Sequence, residues 1–290
     1  MTHAAAVVAA TRTVKDLRHV FDRLGNTEHP RGRVLSAYRQ ARRAMSRAAN
    51  IVEVQQGLRD LRLSLVLAAN ATMTEAVELG MRQADREIIY YGLPIVSPYR
   101  YQPATELAAW LSVYDAQVAQ VIATYATSGD LVRIVGDDSR VGLLSPSPVV
   151  RSGAGWLTQV AAAAWLWSVS LALDRMPPVN GAPARSAYVR QAVAAIDERT
   201  TDCCLRVHGQ VAELDGDFRL DGTPRYADRM RNPPFHDFCR TATCLVRRDE
   251  AGDQITDNMV SAARREIAAR APDDNRQRIS PAHATSGRRG

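Results

Sequence analysis

Residues 197–210, DERTTDCCLRVHGQ, and residues 233–241, PPFHDFCRT, decide how this chain is read. All four cysteines of the 290-residue sequence fall between Cys203 and Cys244, with His208 and His236 among them. Thiols confined to one window, with two of the chain's six histidines among them, predict a small, loop-rich module. So few large apolar residues need crosslinks or polar contacts to hold their loops. Strands are expected over residues 209–214 and 243–247, and a helix over 184–196 delivers the chain to them. A last amphipathic helix is expected near residues 258–270, before a polar tail from 272 to 290 that reads as disordered.

Outward from that module the chain reads as helix. Val14, Leu17, Val20 and Leu24 recur at helical spacing, as do Val34, Leu35, Tyr38, Ala41 and Met45. A third helix is expected over residues 54–69. A fourth begins at Thr72-Met73-Thr74-Glu75, where a threonine cap and a glutamate three residues later form a start signal. Leu107, Trp110, Leu111, Tyr114, Val118 and Val121 give the clearest amphipathic helix, a core or oligomer face. Residues 131–135 and 140–144 read as a short β-hairpin, and Ser145-Pro146-Ser147-Pro148 as a boundary. The expected fold is α+β and predominantly helical. A helical body spans residues 1–150, and residues 151–271 join a tryptophan-containing helix to a small Cys/His β-hairpin module.

Charge is uneven. Residues 1–63 hold 12 Arg or Lys against 5 Asp or Glu, whereas the rest of the chain is nearly balanced. Arg39, Arg42, Arg43 and Arg47 lie mostly off the apolar stripe of the second helix, which makes them candidates for contact with nucleic-acid phosphates or an acidic partner; the alternative is a solvated helix face. Residues 1–10 carry no secretory n-region, so folding in a reducing cytoplasm is expected, where free thiols or a metal are favoured over disulfides. Residues 152–173 are uncharged and long enough to cross a bilayer. Their glycines, serines and alanines, and tryptophans not arranged as two belts, favour a buried or subunit-packed helix instead. Trp156, Trp165 and Trp167 would then be anchors.

His236-x-x-Cys239 has the spacing of a zinc ligand pair, Cys244 follows, and Cys204 lies across a loop. Three arrangements stay open: a structural zinc on Cys204, His236, Cys239 and Cys244, buried thiols with a hydrogen-bonded histidine, and a disulfide. Arg199 and Arg240 stand beside Asp197, Glu198, Asp202 and Asp237, where a bidentate pair can lock the two half-motifs together. Catalysis through Cys204 and His236, or through a metal-activated water, lacks an identifiable orienting group and oxyanion site. No Walker A loop, Rossmann fingerprint or HExxH motif is present.

Asp-x-Arg-Thr, then Cys204, Gly209 and Pro-Pro-x-His-x-x-Cys-Arg-Thr, in that order, resembles the C-terminal signature of the Mu F-like phage head morphogenesis family, over about 50 of the 290 residues. The positions that carry the resemblance are Asp197, Arg199, Thr200, Cys204, Gly209, His236, Cys239 and Arg240. Many relatives have Cys-x-x-Cys and His-x-x-Cys-Arg-Cys; here Thr201 and Thr241 take the first and last of those places. A fourth ligand would then come from Cys203, Cys244 or His208.

The resemblance implies a structural, non-enzymatic virion component: a minor capsid protein that associates with the portal and with capsid or scaffold proteins during head assembly. It would be made in the bacterial host cytoplasm and retained in the head interior or neck. The rival reading is a DNA-binding or ejected internal protein, motivated by the basic N-terminal third. A zinc-dependent enzyme and a membrane protein are further rivals.

Overall fold

The computed structural model describes residues 2–22, 30–95, 102–131, 134, 143–179 and 181–270. The chain is predominantly helical with a small antiparallel sheet, an α+β fold. Among the described residues the first, helical part comprises α1 (Thr2–Asp22), α2 (Pro30–Met45), α3 (Ile51–Tyr90), α4 (Ala104–Ser128) and α5 (Pro146–Asp174). Then follow β1 (Tyr188–Ala194), α6 (Asp202–Val207), β2 (Val211–Ala212), β3 (Phe218–Arg219), β4 (Arg229–Met230), β5 (Thr241–Arg247) and α7 (Gln254–Ala268). Two compact units emerge, and the chain enters each more than once: one comprises residues 1–17, 76–101 and 158–290, the other 18–75 and 102–157. Most of the expected 131–144 hairpin and all of the 272–290 tail lie outside the described residues, and Leu131 and Ile134 carry helical backbone.

In the unit of residues 18–75 and 102–157, α4 buries Trp110, Tyr114 and Val121 as its spacing predicts, together with Glu106 and Gln117. Its polar tips are used: Tyr38 donates to Gln117 Oε1 at 2.7 Å, and Trp110 Nε1 donates to the Val149 carbonyl at 2.8 Å. Leu107, Leu111 and Val118 are only half-buried. The expected break before Thr72 is absent, because α3 runs unbroken for 40 residues. Thr72 is buried and its hydroxyl donates to the Ala68 carbonyl at 2.6 Å, so it bonds back along the helix instead of capping a new one. Pro146, expected within a boundary, opens α5, where a proline's missing N–H costs nothing.

The other unit is built around β1, the centre of a sheet ordered β2-β1-β5 with antiparallel pairing throughout. Arg190 pairs with Leu245 and Gln191 with Cys244. The helix expected over residues 184–196 is therefore corrected to a short 3-10 turn followed by a strand. All seven β1 residues are buried. A central strand covered on both faces loses the alternation that marks a half-exposed one, and its alanines imitate helix composition. Val189 and Val193 pack with Ala6, Ala10, Val14, Cys244, Val246 and Met259 on one face, and Ala192 and Ala194 with Cys203, Cys204, Val207, Phe218 and Phe235 on the other. His3 ties α1 into this unit, lying 2.7 Å from Gln191 Oε1 and 2.9 Å from Asp253 Oδ2. Asp253 also caps α7 by accepting from the Ile255 and Thr256 amides.

Residues 152–173 lie within α5, which is long and apolar enough to cross a membrane by length and composition, although most of its apolar window is buried within the protein. Close packing against α3 explains Gly80, where a Cβ would sit 2.1 Å from the Ala161 carbonyl oxygen.

Candidate metal centre

The two half-motifs are joined first by charge. Asp197 lies just after β1 and Arg240 just before β5, and Arg240 donates through both terminal nitrogens to the two Asp197 oxygens. Asp197 Oδ1 also accepts from the Arg199 amide at 2.9 Å. Thr200 donates to the Ala195 carbonyl and closes the turn. Burial pushes the Asp197 carboxyl up, but the Arg199 amide, Arg240 and Thr200 outweigh it and hold it below the ordinary carboxylate range. The expected arginine lock is thus made by Arg240. The Arg199 side chain is exposed and, among the described residues, pairs with Glu198 at 4.0 Å, so its part in the motif is played by its backbone.

Beyond that lock, α6 carries Cys204 inward and the 235–239 turn carries His236 and Cys239 to meet it. Phe238, at φ 56°, takes the left-handed conformation inside this turn. Cys204 Sγ is 2.9 Å from His236 Nε2 and 3.7 Å from Cys239 Sγ. The three ligand atoms lie within 4.8 Å of one another, a grouping that can hold a metal ion. Exposure is 0% at Cys204, 1% at His236 and 8% at Cys239. His236 Nδ1 donates to the Asp237 carbonyl at 2.7 Å, which turns Nε2 toward the sulfurs, the outer-sphere arrangement that orients a ligating imidazole.

Electrostatics sharpen the contrast between the two thiols. Burial alone would raise Cys204, but hydrogen bonding with Cys239 and the charge of His236 pull it well below the ordinary thiol range. His236 rises despite burial because it faces Cys204, and Cys239 is pushed well up by burial and by its neighbour's negative charge. The shifts of Cys204 and His236 run in opposite directions because each group favours the other's charged form, and their mutual hydrogen bonding closes the group as a polar staple.

None of the three proposed fourth ligands joins the group. Cys244 is corrected: it lies on the opposite face of the sheet, among Val189, Val193 and Val246. Cys203 points into the apolar cluster around Phe218 and Phe235, and burial raises its thiol. His208 Nδ1 accepts from the Ala194 amide at 2.8 Å, and burial lowers its ring to about 4, so it serves as a neutral acceptor at the end of β1. Thr201 does reach the site, its hydroxyl 2.8 Å from His236 Nε2, and Thr241 contributes to lowering Cys204.

Gly209 has φ +84°, and a Cβ there would stand 2.8 Å from Val260 Cγ2 of α7. Its amide donates to the Ala192 carbonyl at 2.8 Å, so the signature glycine lets the chain turn back onto β1 beneath α7.

Three centres were missed from sequence. Thr201 is one. Arg190 is another: wholly buried, it donates to the Glu213 and Gly216 carbonyls and to Asn232 Oδ1, with its guanidinium 5.3 Å from the Phe218 ring centroid. The third is Glu87, fully buried and accepting from Gln83 Nε2 at 2.7 Å, Trp165 Nε1 at 2.8 Å and the Leu245 amide at 2.9 Å. Its signal was readable, since Glu87 falls on the helix face that carries Gly80, Ala84 and Ile88. Arg39, Arg43 and Arg47 are exposed and Arg42 half-buried, on or just after α2, which belongs to the unit that does not contain the Cys/His group. In comparisons with known proteins, no family model, no curated protein and no solved structure matches this chain.

Proposed function

We propose that this chain is a structural minor head protein of a tailed phage, docking on the portal or inner capsid during assembly, and that its Cys/His module is a staple, not a reaction centre. The observation that carries this reading is the fate of the signature residues. Asp197, Thr200, Cys204, Gly209, His236, Cys239 and Arg240 bind one another or the adjoining backbone and hold one small module closed. A nucleophile needs access to its substrate, and Cys204 and His236 have almost none.

Zinc is the proposed ion. Two sulfurs and an imidazole nitrogen suit it, and they supply three of the four positions a structural zinc takes. Thr201 Oγ1 is the side-chain oxygen placed beside the third. Bound there, zinc would supply a crosslink between α6 and the 235–239 turn.

Purified virions and procapsids of the phage that encodes the chain, analysed by quantitative mass spectrometry, provide the test. Recovery in both at a fixed copy number per portal is expected. Its absence from both particles would overturn the assignment.

A further inference from the structure

Between Glu28 and Glu53 the sequence has six arginines and no acidic residue. Arg39 and Arg43 stand on the α2 face opposite buried Val34, Ala37, Tyr38, Ala41 and Met45, and Arg47 follows just past the helix end. Arg39, Arg43 and Arg47 are exposed, and among the described residues none of their side chains, nor that of Arg42, makes an ion pair. We propose that this face binds the phosphate backbone of duplex DNA without sequence preference. The inference rests on the charge pattern alone and is independent of the head-assembly reading.

Four residues of helix rise about 6 Å, so Arg39 and Arg43 form a row of fixed cations. Duplex DNA presents about one negative charge per 1.7 Å of axis, and any orientation of the row along it meets several phosphates. Each guanidinium offers a planar fork of donors suited to phosphate oxygens. What the face lacks narrows the partner further. Among residues 31–50 no large apolar side chain is exposed. A membrane-surface helix needs such residues to enter the acyl boundary, and a protein interface needs an apolar or aromatic anchor at its centre. Single-stranded nucleic acid is held largely by stacking on aromatics, and Tyr38, the aromatic residue of α2, is buried. Nothing on the face reads base edges, so all duplex sequences should bind alike.

The test is fluorescence anisotropy of the full chain with two 30-base-pair duplexes of unrelated sequence, titrated between 50 and 200 mM salt. Equal affinity for both is expected. In R39Q/R42Q/R43Q/R47Q the slope of log K against log salt should become shallower by roughly 3 to 4. The four charges should therefore account for about 100-fold of the affinity lost across that salt range. The all-lysine counterpart should keep most of the slope, and R39Q/R43Q/R47Q, which alters only exposed positions, should lose roughly 2 to 3 of it. Unchanged slopes in both glutamine variants, no duplex binding by the parent chain at 50 mM salt, or binding to phosphatidylserine vesicles in place of duplex would each overturn the proposal.

Discussion

Glu87 offers the sharpest test of how this fold balances burial against hydrogen bonding. Three N–H donors surround its carboxylate, which favours the ionised form, while complete burial favours the neutral one. Burial is the larger influence and raises the group from 4.5 to about 8. A folded state that holds its proton more tightly than the unfolded chain is stabilised at low pH. That advantage is complete below about pH 4.5 and is lost as pH rises toward about 8. Each pH unit in the window removes about 1.4 kcal/mol, a total of roughly 5 kcal/mol. The perturbation is Glu87→Gln, which keeps shape and cannot titrate. Its amide must turn an N–H toward an existing donor, a pH-independent cost of about 1–3 kcal/mol. Urea unfolding of both proteins, from pH 4.5 to 8.5, measures the difference while other titrating groups cancel. Parent stability should fall relative to the variant across this range, with the variant gaining by several kcal/mol at the alkaline end. A difference that stays flat from pH 5 to 8.5 would refute the reasoning and mean that the three donors keep Glu87 ionised throughout.

The remaining expectations concern the module. Arg240→Met should cost about 1–3 kcal/mol in urea unfolding at pH 7, because it strips Asp197 of its bidentate partner. Since Asp197 is held below its ordinary value of 3.8, its contribution is present at neutral pH and fades as acid protonates it, so the two proteins should converge in stability at low pH. Gly209→Ala combines a left-handed backbone with contact against Val260 and should destabilise by about 2–4 kcal/mol. Adding Val260→Ala should restore little of that unless steric contact, not backbone conformation, dominates. Thr201→Cys places a third sulfur beside His236, and competition against a chelator should show zinc held more tightly by more than the ten- to hundredfold, roughly, that outer-sphere partners contribute.

Local pattern made much of this architecture legible. The 3.6-residue repeat located α2 and α4, because each buries one stripe against the rest of its unit. It failed at residues 184–196, where burial on two faces erased the alternation of a strand. It failed again at Thr72, because a threonine that bonds to the carbonyl four residues back has the same composition as one that caps. In the site, spacing paired His236 with Cys239, and the order of the resembled signature added Cys204, which stands 32 residues before His236 and yet meets them. Spacing could not reveal that Cys244 faces the other way. That depends on strand register, and one step along β5 turns a side chain from one face of the sheet to the other. Thr201 was noticed only as a missing cysteine, although its hydroxyl occupies the space beside the imidazole.

Arg190 gives the module a property that a bound ion cannot. Its guanidinium gathers two main-chain carbonyls and an amide oxygen from residues 213–232, much as a hard cation would, but it is tethered to the central strand. Burial lowers it only to about 10, so it stays charged at neutral pH. The two halves of the module therefore differ in what can dissolve them. A chelator would act only on an ion held by Cys204, His236 and Cys239, and has nothing to extract from the Arg190 side. The 213–232 segment keeps its shape on a cation that is translated with the chain.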